Sequence, residues 1–184
     1  MTNEKREFFN WKLVKSEQGP DLKLFKARFD YMQNPRNQLV EKMIVVEAND
    51  STNVVPVFPN GDILFVRQYR FGIRKMTLEL PGGIVDDGEE ALFAAKRELR
   101  EESGYSAKHW NFLGKVGSNP VYMSNYIHHW VATDIALTSS LDLDDGEVVE
   151  NEVLSEKEVR DRLKAGKFLH PHTISALTLY LSNK

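Results

Sequence analysis

Glu98, Glu101 and Glu102 fall within five consecutive positions near the end of GGIVDDGEEALFAAKRELREESGY, the stretch from Gly82 to Tyr105. On a helix, residues three and four apart are neighbours, and like charges at that spacing cost a few tenths of a kcal/mol per pair. A bound cation turns the repulsion into coordination, and clustered carboxylate oxygens suit a hard divalent ion such as Mg²⁺, with Mn²⁺ as the alternative. The plain reading is an acidic helix face offset by Lys96, Arg97 and Arg100.

The element that carries these residues is a helix over 89–102, rich in Ala, Leu, Glu, Lys and Arg, with Gly104 as its stop. Its apolar stripe is Ala91, Leu92, Ala95 and Leu99, while Glu90, Lys96, Arg97 and Arg100 face water. Glu98 and Glu102 fall at the edge of the apolar stripe, where the neighbouring alanines leave room for an ion and a substrate.

Strands must surround that helix. WKLV, LKLFKARFDY and LVEKMIVVEA, separated by turn-prone stretches, predict an antiparallel section up to Ala48. A Pro59–Asp62 turn between NVVPVF and DILFVRQYR predicts a hairpin, and TLEL a short strand before Pro81. HWNFLGKV, YIHHWVATDIA and GEVVENEVL read as further strands. Ser155 with Glu158 forms a capping-box pattern for a helix ending at Gly166, and Pro171 suits the first turn of a last helix through Leu181. Strands interleaved with a few helices, without regular βαβ alternation, predict a mixed sheet with helices packed on it.

The 184 residues, 41% hydrophobic, are enough for a sizeable core. A net charge of −3 argues against a general nucleic-acid binder, whose phosphate contacts need a basic face. Cysteine is absent, which excludes disulfides and thiolate metal sites. The start, MTNEKREFFNWK, lacks the apolar core of a signal peptide, and no apolar run approaches a membrane span. A cytoplasmic protein that engages neither membrane nor nucleic acid is the expectation.

From Gly83 to Tyr105 the chain resembles the Nudix hydrolase box, G-x5-E-x7-R-E-U-x-E-E-x-G-U, where U is a bulky aliphatic residue. Gly83, Glu89, Arg97, Glu98, Leu99, Glu101, Glu102 and Gly104 match, and Tyr105 departs at the last position. Chance agreement at the seven polar or glycine positions is roughly 10⁻⁸ per starting point. The resemblance implies a Nudix-type α/β/α sandwich with a mixed sheet, holding divalent cations against a pyrophosphate. It makes Glu98, Glu102, Glu101 and the Gly82 carbonyl the metal ligands, with Glu101 also a catalytic carboxylate. Glu89 is given a supporting role, and Arg97 can pair with Glu101 at i+4.

VRQYR followed by LELPGG resembles the segment of ADP-ribose and related nucleoside-diphosphate-sugar pyrophosphatases that carries a phosphate-binding arginine, here Arg70. Pro120 in GSNPVYMSN fits the spacing of a proline turn in those enzymes. Where some members carry a glutamate base just after that turn, Asn125 stands here; others take the base from an Asp-Gly-Glu loop, which makes Glu147 in DDGEVVE the candidate general base and Glu150 the reserve. The plain alternative for Glu147 is a hairpin acid before a strand, and the two readings weigh evenly.

Such enzymes are usually homodimers that exchange amino-terminal strands and stack rings on the partner's bound base. That resemblance assigns residues 1–48 to an exchanged strand section and 49–184 to the catalytic domain, with Trp11 and Phe25 as substrate-binding rings. Core filling is the competing role for each ring, as for Phe8, Phe9, Phe29 and Tyr31. His128, His129, His170 and His172 read as structural or pocket-lining, since adjacent strand residues face opposite sides. The implied substrate is a nucleoside diphosphate sugar, ADP-ribose foremost. The alternatives are another nucleotide (GDP-mannose, a dinucleoside polyphosphate or a nucleoside triphosphate) or a non-catalytic domain that binds ADP-ribose.

Overall fold

Alternation along its strands decides how this protein buries its sheet. The structure, a computed structural model, describes residues 10–143 and 148–184. Two compact units emerge: the described residues up to Ala48 together with Gly117–Asn125, and Asn49–Val116 together with Tyr126–Lys184.

In the smaller unit β1 (Lys12–Asp21), β2 (Lys26–Gln33) and β3 (Val40–Glu47) form an antiparallel sheet in sequence order. The Gly117–Asn125 segment runs along β3, exchanging hydrogen bonds between Val46 and both Tyr122 and Ser124. Asp30 is the one buried polar residue of this sheet among the described residues, accepting from Ser16 Oγ and from the Arg28 fork. Leu13, Val14, Val40 and Ile44 are exposed.

The larger unit holds a six-stranded mixed sheet in the order β6 (Lys75–Glu79), β5 (Ile63–Arg70), β4 (Ser51–Val57), β8 (Tyr126–Leu137), β7 (Tyr105–Gly117), with β9 (Val149–Leu154) paired to β5. Val54, Leu64 and Ala132 pack on one face with Ala95 and Leu99 of α1 (Ala91–Ser103). Val55, Ile63, Phe65 and Val131 pack on the other with Val159 of α2 (Glu156–Lys164) and Ala176, Leu177 and Tyr180 of α3 (Pro171–Ser182). Consecutive strand residues therefore serve opposite faces, and both faces are dry. The result is the α/β/α sandwich expected.

The hairpin expectation needs correction. The Pro59–Asp62 turn forms, closed by Phe58 N–H donating to the Asp62 carbonyl at 2.9 Å, but β4 and β5 pair only at Val57 and Ile63. Beyond that rung β4 runs parallel to β8, from Ser51 beside Ile127 to Val57 beside Thr133, while β5 pairs with β6 and β9. A turn fixes local proximity only; the backbone groups of a strand buried on both faces take whichever neighbour satisfies more of them.

Candidate metal and substrate site

The glycines before α1 are fixed by what they touch. A Cβ on Gly82 would lie 2.2 Å from the Thr52 carbonyl oxygen and 2.8 Å from the Asn53 Cα, both backbone, and one on Gly83 would lie 2.4 Å from Glu98 Oε1. The turn is tied to β4 by Thr52 N–H donating to the Gly83 carbonyl and Val54 N–H to the Pro81 carbonyl. Gly82 N–H donates to Glu102 Oε2 at 2.8 Å. A side chain at position 82 would strike the β4 backbone, and one at position 83 would displace the Glu98 carboxylate, so the two glycines let the turn lie against both. At the other end of α1, Gly104 takes φ 78°, where its N–H closes on the Arg100 carbonyl.

Arg97 organises the remaining acids. Its Nη1 donates to Glu98 Oε1 at 2.7 Å and Glu101 Oε2 at 3.2 Å, while Nε and Nη2 grip the two oxygens of Glu89 at 3.2 and 3.0 Å. Nη2 also donates to the Ile84 carbonyl at 3.0 Å. The expectation that Arg97 faces water is therefore corrected: Glu90, Lys96 and Arg100 are exposed, but Arg97 turns inward to the acids. Its guanidinium and the Asp86 N–H hold the Glu89 carboxyl below the usual range, and the surrounding carboxylates raise Arg97 itself.

Glu98 and Glu101 share Arg97 and Glu102 meets Gly82 N–H, but among the described residues no three His, Asp or Glu side chains are grouped so that they could hold a metal ion. The donor types nonetheless suit a hard cation, three carboxylates and a backbone carbonyl, all oxygen. Arg97 stands where such a cation would compete for Glu98 and Glu101.

Arg70 lies in a neighbouring cavity of about 420 Å³ lined by Asn53, Arg70, Gly82, Gly83, His170 and His172, among others. Its Nε and Nη2 donate to Glu79 Oε1 and Oε2 at 2.8 and 2.6 Å. Glu79, only 1% exposed, also accepts from Thr77 Oγ1 and lies 3.0 Å from His170 Nδ1. Burial alone would raise the Glu79 carboxyl, but Arg70, His170 and Thr77 outweigh it and hold it below its usual value. Burial wins at His170, pushed down to about 4. Two other histidines are tied to the scaffold: His128 Nε2 bonds Asp50, and fully buried His129 bonds Ser175 on the opposite face.

Trp11 and Phe25 belong to the smaller unit and are 42% and 40% exposed, so neither fills a core there. Glu147, the candidate base, lies outside the described residues, and Glu150 is exposed on β9. Asn125 is buried in the smaller unit, its carbonyl accepting from Ser118 N–H at 3.1 Å. Sequence reading missed Glu79. The signal was there: in TLEL, Thr77 and Glu79 share one strand face while Leu78 and Leu80 take the other, so a short strand with two buried faces had to bury a carboxylate.

The NUDIX domain family matches residues 48–176, a span that includes the whole glutamate helix. The chain is 27% identical to the methanol dehydrogenase activator of Bacillus methanolicus over 93% of this chain and 92% of that one. It is 30% identical to the ADP-ribose pyrophosphatase of Bacillus subtilis (strain 168), covering 70% of this chain and 68% of the relative. A crystal structure of an ADP compounds hydrolase shares the fold, with a TM-score of 0.82 at 24% identity over 94% of this chain and 93% of that one. With the box glutamates gathered under the Gly82–Gly83 turn and the family match spanning most of its length, the chain belongs to the Nudix family.

Proposed function

We propose that this Nudix protein hydrolyses the pyrophosphate linkage of a nucleoside diphosphate sugar, ADP-ribose foremost, giving a nucleoside monophosphate and a sugar phosphate. The observation that carries the reading is that one cavity joins Arg70 to the Gly82–Gly83 turn, and that turn packs on Glu98 and Glu102. The similarity to an ADP-ribose pyrophosphatase over more than two thirds of both chains supports the substrate class.

Nudix hydrolases generally use divalent metal ions. Here Glu98, Glu101, Glu102 and the Gly82 carbonyl would hold Mg²⁺, or Mn²⁺ in its place. When bound, the cation neutralises diphosphate charge and lowers the pKa of water. Arg70 binds an anionic oxygen of the substrate and orients the linkage toward the glutamates. Glu147 takes the proton from the attacking water, needing only to reach it directly or through one further water.

The active form is proposed to be a cytoplasmic homodimer. Residues 1–48 are its exchanged strand section and residues 49–184 its catalytic domain, with Trp11 and Phe25 stacking on the base. The exposed Leu13, Val14, Val40 and Ile44 of the small sheet support this, because exposed apolar side chains on one sheet are stabilised by burial against a partner.

The test is chromatography of products after incubation with Mg²⁺ and a panel of ADP-ribose, other nucleotide sugars, dinucleotides and triphosphates. AMP and ribose 5-phosphate, absent when EDTA replaces Mg²⁺, are the expected products. Reaction of triphosphates alone would overturn the substrate class, and binding of ADP-ribose without turnover would make the protein a receptor. Sedimentation at micromolar concentration checks the dimer.

A further inference from the structure

Arg70 does not point straight out from its strand. It pairs across the β5–β6 ladder with Lys75, whereas Glu79 pairs with Val66, two rungs away along the same face. The side chain therefore folds back over the Gln68–Thr77 rung to reach the carboxylate, and both oxygens of Glu79 receive it as a fork. An arginine at this position with no such acceptor would extend its charged end into water and keep its rotamer freedom.

Glu79 is held as firmly as it holds. Thr77 Oγ1 donates to it, and His170 Nδ1 lies 3.0 Å away. The next residue, Leu80, donates its N–H to Thr173 Oγ1 at 3.1 Å in the first turn of α3, and its carbonyl accepts from Asn53 Nδ2 at 3.1 Å. Pro81 and Gly82 follow directly. One short run of chain thus bears both the carboxylate that orients Arg70 and the turn that packs on the glutamates.

We infer that Glu79 is a positioning residue: by taking the Nε and Nη2 donors it locks the Arg70 guanidinium in one orientation along the cavity wall, so that an anionic substrate meets the remaining N–H edge, held in place beside the Gly82–Gly83 turn. The inference rests on the diphosphate-binding reading of that cavity. A carboxylate 1% exposed, spending both oxygens on one half-exposed arginine, costs desolvation that a surface ion pair avoids. The return is preorganisation, since a fixed donor pair loses less entropy when it meets an anion.

The test measures binding of ADP-ribose and of inorganic pyrophosphate by calorimetry in EDTA, where turnover does not intervene. Glu79→Gln is expected to weaken both by about 10- to 100-fold. Arg70→Lys, which keeps the charge but cannot make the fork, is expected to weaken them as much, and the double variant to be no weaker than either single one. The kcat of the Mg²⁺-loaded enzyme at saturating substrate should change far less than KM. Additive losses, or wild-type affinity in Arg70→Lys, would overturn the inference, and the lysine variant carries the test if Glu79→Gln does not fold. A wild-type protein that binds these anions but never cleaves ADP-ribose would sink the proposed function while leaving the coupling measurable. A wild-type protein that binds neither anion sinks the inference as well.

Discussion

Two of the arginines in the larger unit that grip glutamates, Arg97 and Arg70, do so in opposite ways. Arg97 spreads itself over three partly exposed carboxylates, Glu89, Glu98 and Glu101, on and just before one helix. Arg70 commits its fork to the single buried carboxylate of Glu79 on the adjacent strand. The first arrangement can be exchanged, because a divalent cation offers the same carboxylates more charge at shorter range. The second cannot, because losing the arginine would leave a buried charge unpaired. On the proposed reading, one assembly gives up its cation and the other holds it still.

The sharpest break between them comes from removing charge where exchange is expected. In a Glu98→Gln, Glu102→Gln double variant, the amide oxygen at 102 can still accept from Gly82 N–H, and the side chain at 98 still packs at Gly83, so shape is kept while two charges go. Hydrolysis of ADP-ribose should fall at least about 100-fold, with affinity for ADP-ribose in EDTA little changed. Product chromatography and circular dichroism check it. Full activity in a folded double variant removes the glutamate helix from the mechanism.

Acid separates the assemblies next. His170, beside Glu79, has its pKa pushed from 6.5 to about 4 by burial. The unfolded chain therefore takes up this proton near 6.5 while the folded chain resists it until about 4. Its contribution to stability is complete above pH 6.5 and drains away as pH falls toward 4, about 2 kcal/mol between pH 7 and pH 5. His129, also pushed down to about 4, drains in the same window. His170→Asn puts a favoured N-cap residue at the start of α3 and should flatten that part of the curve in urea titrations, leaving the His129 share. An unaltered slope would mean that His170 titrates normally in the folded protein.

Much of this was legible beforehand, and the boundary is physical. The helix was readable because its formers run unbroken to Gly104, and the capping box at Ser155 and Glu158 forms as written. Local chemistry decides such features. The partner of β4 was not readable, because a turn at Pro59–Asp62 constrains the first rung and says nothing about β8, some seventy residues on. Arg97 was assigned to solvent by wheel geometry, which ignores that a long side chain can return to acids on its own helix and on the loop before it. The small sheet alternates convincingly, yet alternation cannot say whether a face finds a cover, and Ile44 is 61% exposed.

The smallest effect should fall on Arg97, and its sign distinguishes the two assemblies best. Arg97→Ala removes the cation from Glu89, Glu98 and Glu101 and leaves their charges facing one another, so stability in EDTA should drop by about 1 kcal/mol, modest because all four side chains keep contact with water. Glu89 has its folded pKa depressed by Arg97, so its contribution is present above its unfolded pKa and lost as pH falls through the lower, folded value. The variant should therefore lose less stability than the wild type on acidification below about pH 4.5. Adding Mg²⁺ should then raise the melting temperature of Arg97→Ala more than that of the wild type, because the incoming ion no longer displaces a resident cation. Equal shifts in the two proteins would show that Arg97 and the divalent ion do not compete, and the contrast between an exchangeable and a fixed arginine would fail at the Arg97 end.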